Sequence, residues 1–333
     1  MMAPILEAEE LVKNYGSLQA LRGISFTVEA GEIFGLLGPN GAGKTTAISI
    51  LTGVTPPTSG TARICGLDIF KNALEVKRKT GLVPQDLALY PTLSARANLN
   101  FFGSIYGLRG TELKDRVEDV LAVVSLTERA NEPIEKYSGG MKRRINIAAG
   151  LVHQPDLLFL DEPTVGVDPQ SRNHIFESVL KLNRERGMSI IYTSHYMEEV
   201  ELLCKRVAIV DQGRIIALDT VKNLVAMLGG GIIQVGLRRW DNELIGSISN
   251  LPAVRCTTLV PLPGDSSAAP AAFQTPSNTV SRVVKIEAED SHQAVVNVIE
   301  FLNKRDIQIS SLDILEPNLE SVFLHLTGKK LRE

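Results

Sequence analysis

Gly38-Pro39-Asn40-Gly41-Ala42-Gly43-Lys44-Thr45 matches G-x-x-x-x-G-K-[ST], and it constrains this chain more than any other segment. Its glycines let consecutive backbone N–H groups converge on phosphate oxygens without Cβ clashes. A helix after Lys44 aims its positive dipole end at the same anion. Lys44 is placed to neutralise β- and γ-phosphates, and Thr45 to put its hydroxyl on Mg²⁺. The flanks fit. Ile33 to Leu37 is a short apolar run that predicts a buried strand, and Thr45 to Leu51 predicts a helix. A buried parallel strand, a Gly-rich turn and a helix open a nucleotide-binding unit.

Leu157-Leu158-Phe159-Leu160-Asp161-Glu162 is the second informative segment. Four apolar residues bury a strand, and two carboxylates emerge at its carboxyl end, where open α/β sheets place their ligand sites. Asp161 suits a Mg²⁺ contact and Glu162 a water-orienting base. Ser138-Gly139-Gly140 precedes the basic stretch Met141-Lys142-Arg143-Arg144. Ser138 is a good N-cap and the glycines leave the first amides bare, a second anion-binding helix start.

The rest of the chain supplies context. At 333 residues, roughly two domains are expected. Residues 1–228 hold 25 Lys and Arg against 26 Asp and Glu, and residues 229–333 hold 10 against 12. Neither part is basic, which argues against a nucleic-acid binder. No apolar run approaches the ~18 residues of a membrane span, and the N-terminus has no secretory pattern. Cys65, Cys204 and Cys256 are too far apart for a metal or disulfide framework. Strands are expected at Ile5 to Lys13, Ile24 to Glu29, Ser189 to Thr193 and Val207 to Asp211, with a helical region from Leu93 to Leu126. The segment Pro-Pro-Thr-Ser-Gly at 56–60 reads as a turn. Gly229 to Gly231 reads as a flexible punctuator. Beyond it, strands are expected at Ile232 to Leu237, Val283 to Ala288 and Ile307 to Leu315, and a helix at Ser291 to Lys304. The Pro-, Ala- and Ser-rich stretch 261–281 reads as a mobile insertion. His292 is expected on the surface and His325 in packing.

Together these motifs resemble the ATP-binding cassette (ABC) family of ATPases over residues 1 to about 228. The resemblance adds residues that mean little alone. Gln85 by itself is a surface loop residue, and His195 a polar strand cap. Within the family pattern, Gln85 looks like the glutamine loop that senses Mg²⁺ and the attacking water. Tyr15 looks like the aromatic stacked on adenine, Asp168 like the aspartate loop, and His195 like the switch histidine at the γ-phosphate. The implied ATP site comprises Tyr15, the loop residues Gly38, Asn40, Gly41, Ala42, Gly43, Lys44, Thr45 and Thr46, and Ser138, Gly139, Gly140 and Asp168. The implied catalytic set is Glu162, His195, Gln85 and Lys44, with Thr45, Gln85 and Asp161 on Mg²⁺.

Within the family, Tyr137 to Arg144, Tyr90-Pro91-Thr92-Leu93, Ile105 to Leu108 and the tail Glu316 to Gly328 are similar to the daunorubicin-resistance and ABC-2 exporter branch. Two departures stand out: Ala97 where that branch usually carries Glu, and Val165 where Ser is common. The resemblance implies an α/β P-loop fold. Its parts are a mixed-sheet core, an antiparallel β subdomain and an α-helical subdomain at about 86–150; the strand and helix patterning beyond residue 228 adds a small C-terminal α+β domain at 229–333. The resemblance further implies an ATPase that dimerises head to tail, with each ATP between one phosphate loop and the other copy's Ser-Gly-Gly helix. The chain would power a separate polytopic permease at the cytoplasmic face of a bacterial membrane, and Leu87, Leu89 and Tyr90 are candidate docking anchors. The alternative is a soluble cassette ATPase acting on ribosomes or DNA. A single cassette without a heptad run or basic face disfavours it.

Overall fold

The computed structural model describes residues 3–260, 282–315 and 317–327. The chain forms two compact units that divide between Val221 and Lys222.

The first unit contains strands β1 (Leu6–Tyr15), β2 (Leu18–Val28), β3 (Ile33–Leu37), β4 (Ser59–Ile64), β5 (Leu67–Asp68), β6 (Thr80–Val83), β7 (Leu157–Asp161), β8 (Ser189–Ser194), β9 (Arg206–Asp211) and β10 (Arg214–Thr220). Its helices are α1 (Lys44–Leu51), α2 (Ala73–Lys79), α3 (Ala95–Ile105), α4 (Gly110–Val123), α5 (Gly139–Leu151), α6 (Pro169–Arg186) and α7 (Met197–Leu203). One antiparallel sheet has the order β2-β1-β4-β5. The other has the order β10-β9-β3-β8-β7-β6, parallel from β6 to β9 and closed by antiparallel β10. Strands β3, β7 and β8 are buried at every position, as parallel strands covered on both faces must be. A continuous apolar core joins the two sheets through Leu6, Ile24, Phe34, Leu36, Phe159 and Ile191, and the Phe26 and Phe34 rings stack at 5.3 Å.

Register decides where the chemistry goes. Leu37 pairs with Ser194 and Asp161 with Thr193, so β3, β7 and β8 end at one edge. Val83 pairs with Leu160, which brings the end of β6 there too. Four loops, carrying the phosphate-loop motif, Gln85, Glu162 and His195, therefore leave the sheet side by side.

The expected helical region from Leu93 to Leu126 is two helices. α3 starts at Ser94, whose side chain accepts from Ala97 N–H at 3.1 Å, and ends before Gly107, which takes a left-handed φ of 90°. The turn expected at 56–60 is shorter, because Ser59 and Gly60 already belong to β4.

The second unit contains β11 (Ile232–Leu237), α9 (Asn242–Ser249), β12 (Val254–Leu259), β13 (Arg282–Ala288), α10 (Ser291–Lys304), β14 (Ile309–Leu315) and α11 (Leu319–Thr327); α8 (Val221–Ala226) leads into it. The order β12-β13-β11-β14, antiparallel throughout, is the β-α-β-β-α-β ferredoxin-like arrangement. Its core includes Val235, Val284, Ile286, Ala294, Val298 and Leu302.

Four expectations change in this unit. The division falls earlier than 228/229, and the Gly229 to Gly231 stretch is bonded into the sheet: Gly230 N–H donates to Glu289 O at 2.8 Å, and Gly231 O accepts from Ala288 N–H at 3.0 Å. Ile307 belongs to the turn after α10, donating to Leu302 O at 3.0 Å, so β14 begins at Ile309. His325 is exposed rather than packed. The expected insertion at 261–281 lies outside the described residues. No helix among the described residues is long and apolar enough to cross a membrane.

Candidate functional site

The loop between β3 and α1 is built around its glycines. A Cβ on Gly38 would lie 2.2 Å from Val210 O, so only glycine lets the loop pass β9. Gly43 caps α1 at φ 108°, a left-handed conformation that favours glycine. The chain then enters α1 with Lys44 at its first position. Lys44 is 4% exposed, and its ammonium donates to Gly38 O at 2.8 Å and Pro39 O at 3.1 Å. Ala42 is buried beneath, and Asn40, Gly41, Thr45 and Thr46 face the cleft.

The end of β7 meets this loop. Thr193 Oγ1, on neighbouring β8, donates to Asp161 Oδ1 at 2.8 Å and accepts from Glu162 N–H at 2.9 Å. Burial pushes the Asp161 carboxyl above its usual range, and hydrogen bonds from Thr193 and Thr45 oppose that push. The Thr45 hydroxyl and the Asp161 carboxylate are thus side by side. One carboxylate and one hydroxyl beside a phosphate cradle fit Mg²⁺, which is usually held by one or two carboxylates plus substrate phosphates.

Glu162 has a left-handed φ of 46°, unusual for a residue with a Cβ and costing roughly 1–2 kcal/mol. The turn swings its side chain inward to 5% exposure. Its Oε1 lies 3.0 Å from Lys44 Nζ, and its Oε2 lies 3.2 Å from His195 Nδ1 and 3.4 Å from Gln85 Nε2. The four residues expected to be catalytic, spread from 44 to 195, therefore converge on one carboxylate. This places a carboxylate, a cation and two further polar side chains around one point, an arrangement chemically able to serve attack of water on a phosphoryl group.

A cleft of about 630 Å³ opens above them, lined by Tyr15, Leu18, the phosphate loop, Gln85 and Glu162. That volume suits a nucleotide-sized ligand. Tyr15 is 49% exposed at its rim, with Lys13 Nζ 5.0 Å from the ring centroid. A larger cleft of about 890 Å³ lies among Glu112, Asp115, Asp119 and Arg186; it contains none of the motif loops.

Ser138, Gly139, Gly140 and Asp168 do not line the nucleotide-sized cleft. They sit with each other. Ser138 caps α5, accepting from Met141 N–H at 3.2 Å. Asp168 caps α6, accepting from Ser171 N–H at 2.9 Å, and that bond holds its carboxyl below the usual range. A Cβ on Gly140 would lie 2.0 Å from Ser171 Oγ, so the starts of α5 and α6 are in close approach.

Several contributors carry no sequence signal. Arg143, which reads as part of a basic stretch, is buried and donates to Gln85 O at 2.6 Å and Pro84 O at 3.2 Å. Asn146 donates to Pro84 O at 3.3 Å and accepts from Ala88 N–H at 3.2 Å. The start of α5 therefore shapes the glutamine loop. Thr193, Gln19, Arg22 and Gln212 also border the site. Only the folded arrangement identifies them, because each is polar, isolated and outside any motif. The sequence-expected anchors Leu87 and Tyr90 are exposed, and Leu89 is half-buried.

The ABC transporter family model matches residues 21–165. The linearmycin resistance ATP-binding protein LnrL of Bacillus subtilis (strain 168) is 46% identical over 99% of this chain and 100% of that one. The daunorubicin resistance ATP-binding protein DrrA2 of Streptomyces coeruleorubidus is 36% identical over 98% of this chain and 95% of that one. Among solved structures, cbiO1 of Clostridium perfringens, part of the ABC transporter complex cbiONQ, superposes with a TM-score of 0.63 at 29% identity, covering 74% of this chain and 95% of that one. Loop chemistry, sheet order and likeness along nearly the whole chain agree: the protein belongs to the ATP-binding cassette transporter family and is one of its ATP-binding ATPase chains.

Proposed function

We propose that this chain is the ATP-hydrolysing subunit of an ABC-2 type exporter, working as a homodimer on a separate polytopic permease at the cytoplasmic face of the membrane. The observation that carries the reading is the convergence of Lys44, Gln85 and His195 on Glu162. The Ser138 to Gly140 helix start lies away from that cleft, which supports a site completed by a second copy. Relatives named for drug resistance support export. The exposed Leu87 and Tyr90, beside the glutamine loop, support a docking face there. No nucleic-acid partner is invoked.

In this mechanism Tyr15 stacks on adenine, and amides of the phosphate loop hold the phosphates with Lys44. Glu162 orients the attacking water in line with the γ-phosphoryl group and accepts its proton as the new O–P bond forms, while the bond from the γ-phosphorus to the β-phosphate oxygen breaks and ADP leaves. His195 faces the γ-phosphate and Gln85 faces the water. Thr45, Asp161 and Gln85 would hold Mg²⁺, which would supply neutralisation of the phosphate charge. The second copy's Ser-Gly-Gly amides and Asp168 close the site. Positioning and charge neutralisation do most of the work in such reactions.

The test uses tagged Glu162→Gln protein with ATP in mild detergent. Recovery of the chain as an ATP-dependent dimer with a multi-span membrane protein at matching abundance supports the reading. Recovery with ribosomal proteins or nucleic acid, or as a monomer at saturating ATP, overturns it.

A further inference from the structure

Glu199 lies on α7, one turn after His195, and is 2% exposed. Its two oxygens gather three hydroxyl donors. Thr164 Oγ1 donates at 2.8 Å to Oε1 and 2.9 Å to Oε2. Tyr192 and Ser194 donate to Oε2 at 3.0 Å and 2.9 Å. Arg172, on α6, brings its Nε to 3.6 Å of Oε1.

The sources of these donors are informative. Thr164 stands two residues after Glu162, and Ser194 immediately precedes His195. Arg172 is on the helix that Asp168 caps, and its guanidinium also lies 5.2 Å from the Tyr196 ring, which in turn touches the His195 ring at 4.1 Å. The proton directions are constrained as well. Ser194 Oγ accepts from Tyr196 N–H at 2.9 Å, leaving its own proton for Glu199. Burial, followed by the Glu199 charge, holds the Tyr192 phenol well above its usual range, so it stays a donor. A buried carboxylate is costly unless hydrogen-bonded, and here the donors come from the loop after β7 and from the end of β8 that leads into His195.

We propose that Glu199 is a positioning residue for ATP hydrolysis: its buried carboxylate ties the backbone after Glu162 to the backbone before His195. The two side chains are thereby held at the 3.2 Å separation observed between Glu162 Oε2 and His195 Nδ1. Glu162 needs such support, because its left-handed turn is intrinsically strained and would relax if its loop were released. The proposal rests on the roles given above to Glu162 and His195.

The test is steady-state ATPase of the full chain, with melting temperature recorded for each variant. Glu199→Gln keeps size and shape but removes the charge and the third acceptor position. It is expected to lower kcat about ten- to a hundredfold, the scale of a small misplacement of reacting groups, and to leave the KM for ATP near wild type. Thr164→Val and Ser194→Ala are each expected to lower kcat, whereas Thr164→Ser, which keeps the hydroxyl, restores it. Adding Thr164→Val to Glu199→Gln is expected to cost nothing further, since both sever one network.

A wild-type kcat in Glu199→Gln overturns the proposal, as does a lowered melting temperature with kcat per folded molecule unchanged. If Glu199→Gln does not fold, equal kcat in Thr164→Val and Thr164→Ser overturns it. A Glu162→Gln variant as active as wild type removes the underlying site reading along with the proposal. An inactive Glu162→Gln beside a normal Glu199→Gln defeats the Glu199 assignment alone.

Discussion

Lys44 Nζ and Glu162 Oε1 are 3.0 Å apart, with side chains 4% and 5% exposed. The proposed phosphate-binding cation and the proposed water-activating base thus share one buried contact. Removing each should have different consequences. Lys44→Ala deletes a charged donor to phosphate, worth about 1.5–3 kcal/mol, and should weaken ATP binding roughly ten- to a hundredfold in calorimetry. Glu162→Gln should keep that binding and lose kcat by about a hundredfold or more, the contribution of a general base. A Glu162→Gln variant that fails to bind ATP would contradict this division of labour.

Asp161 and Thr45 lie together, and Thr193 fixes the Asp161 carboxylate from the adjacent strand. Asp161→Asn should raise the Mg²⁺ concentration for half-maximal ATPase by at least about tenfold, since even outer-shell changes weaken metal sites that much. A Mg²⁺ titration at saturating ATP reads this directly. An unchanged titration midpoint would remove Asp161 from the metal set.

Tyr15 is half-exposed at the cleft rim. If its ring carries adenine, Tyr15→Ala should weaken nucleotide binding by about 1–3 kcal/mol, the value of stacking one base on an aromatic side chain. Tyr15→Phe should bind like wild type, because the stacking face and not the hydroxyl matters. Loss of affinity in Tyr15→Phe as well would point to a polar contact instead.

At Gly140 a Cβ would fall 2.0 Å from Ser171 Oγ and 2.2 Å from Ser171 Cβ. Gly140→Ala should therefore separate the starts of α5 and α6 and destabilise the first unit by about 1–3 kcal/mol, as overpacking does. Denaturant unfolding measures it. Gly139 has open space at its Cβ, so Gly139→Ala should leave stability nearly unchanged.

Cys204 is buried, and burial raises its thiol far above the usual range, whereas Cys65 and Cys256 are half-buried. The thiolate is the reactive form. An aromatic disulfide reagent at pH 8 should modify Cys204 only after unfolding. Fast modification in the native protein would show that α7 opens readily.

Local patterns in the sequence were enough for the pieces whose physics is local. The phosphate loop was legible because glycines, lysine and hydroxyl must be contiguous to wrap a phosphate. β7 was legible because four apolar residues end in two carboxylates, and α10 because its apolar face repeats at helical spacing. The order of strands in the three sheets was not legible, since pairing is settled by burial among segments far apart in the chain. Nor were Arg143, which shapes the glutamine loop from α5, and Glu199, whose three hydroxyl partners come from the loop after β7 and from β8. A buried polar hub has no period and no motif: its partners become neighbours only when β7 and β8 pair in register. Composition and motif determined that this chain handles nucleotides. The tertiary structure decided which residues hold the reacting groups in place, because a buried hydrogen bond exists only after the backbone has brought its donors and acceptors together.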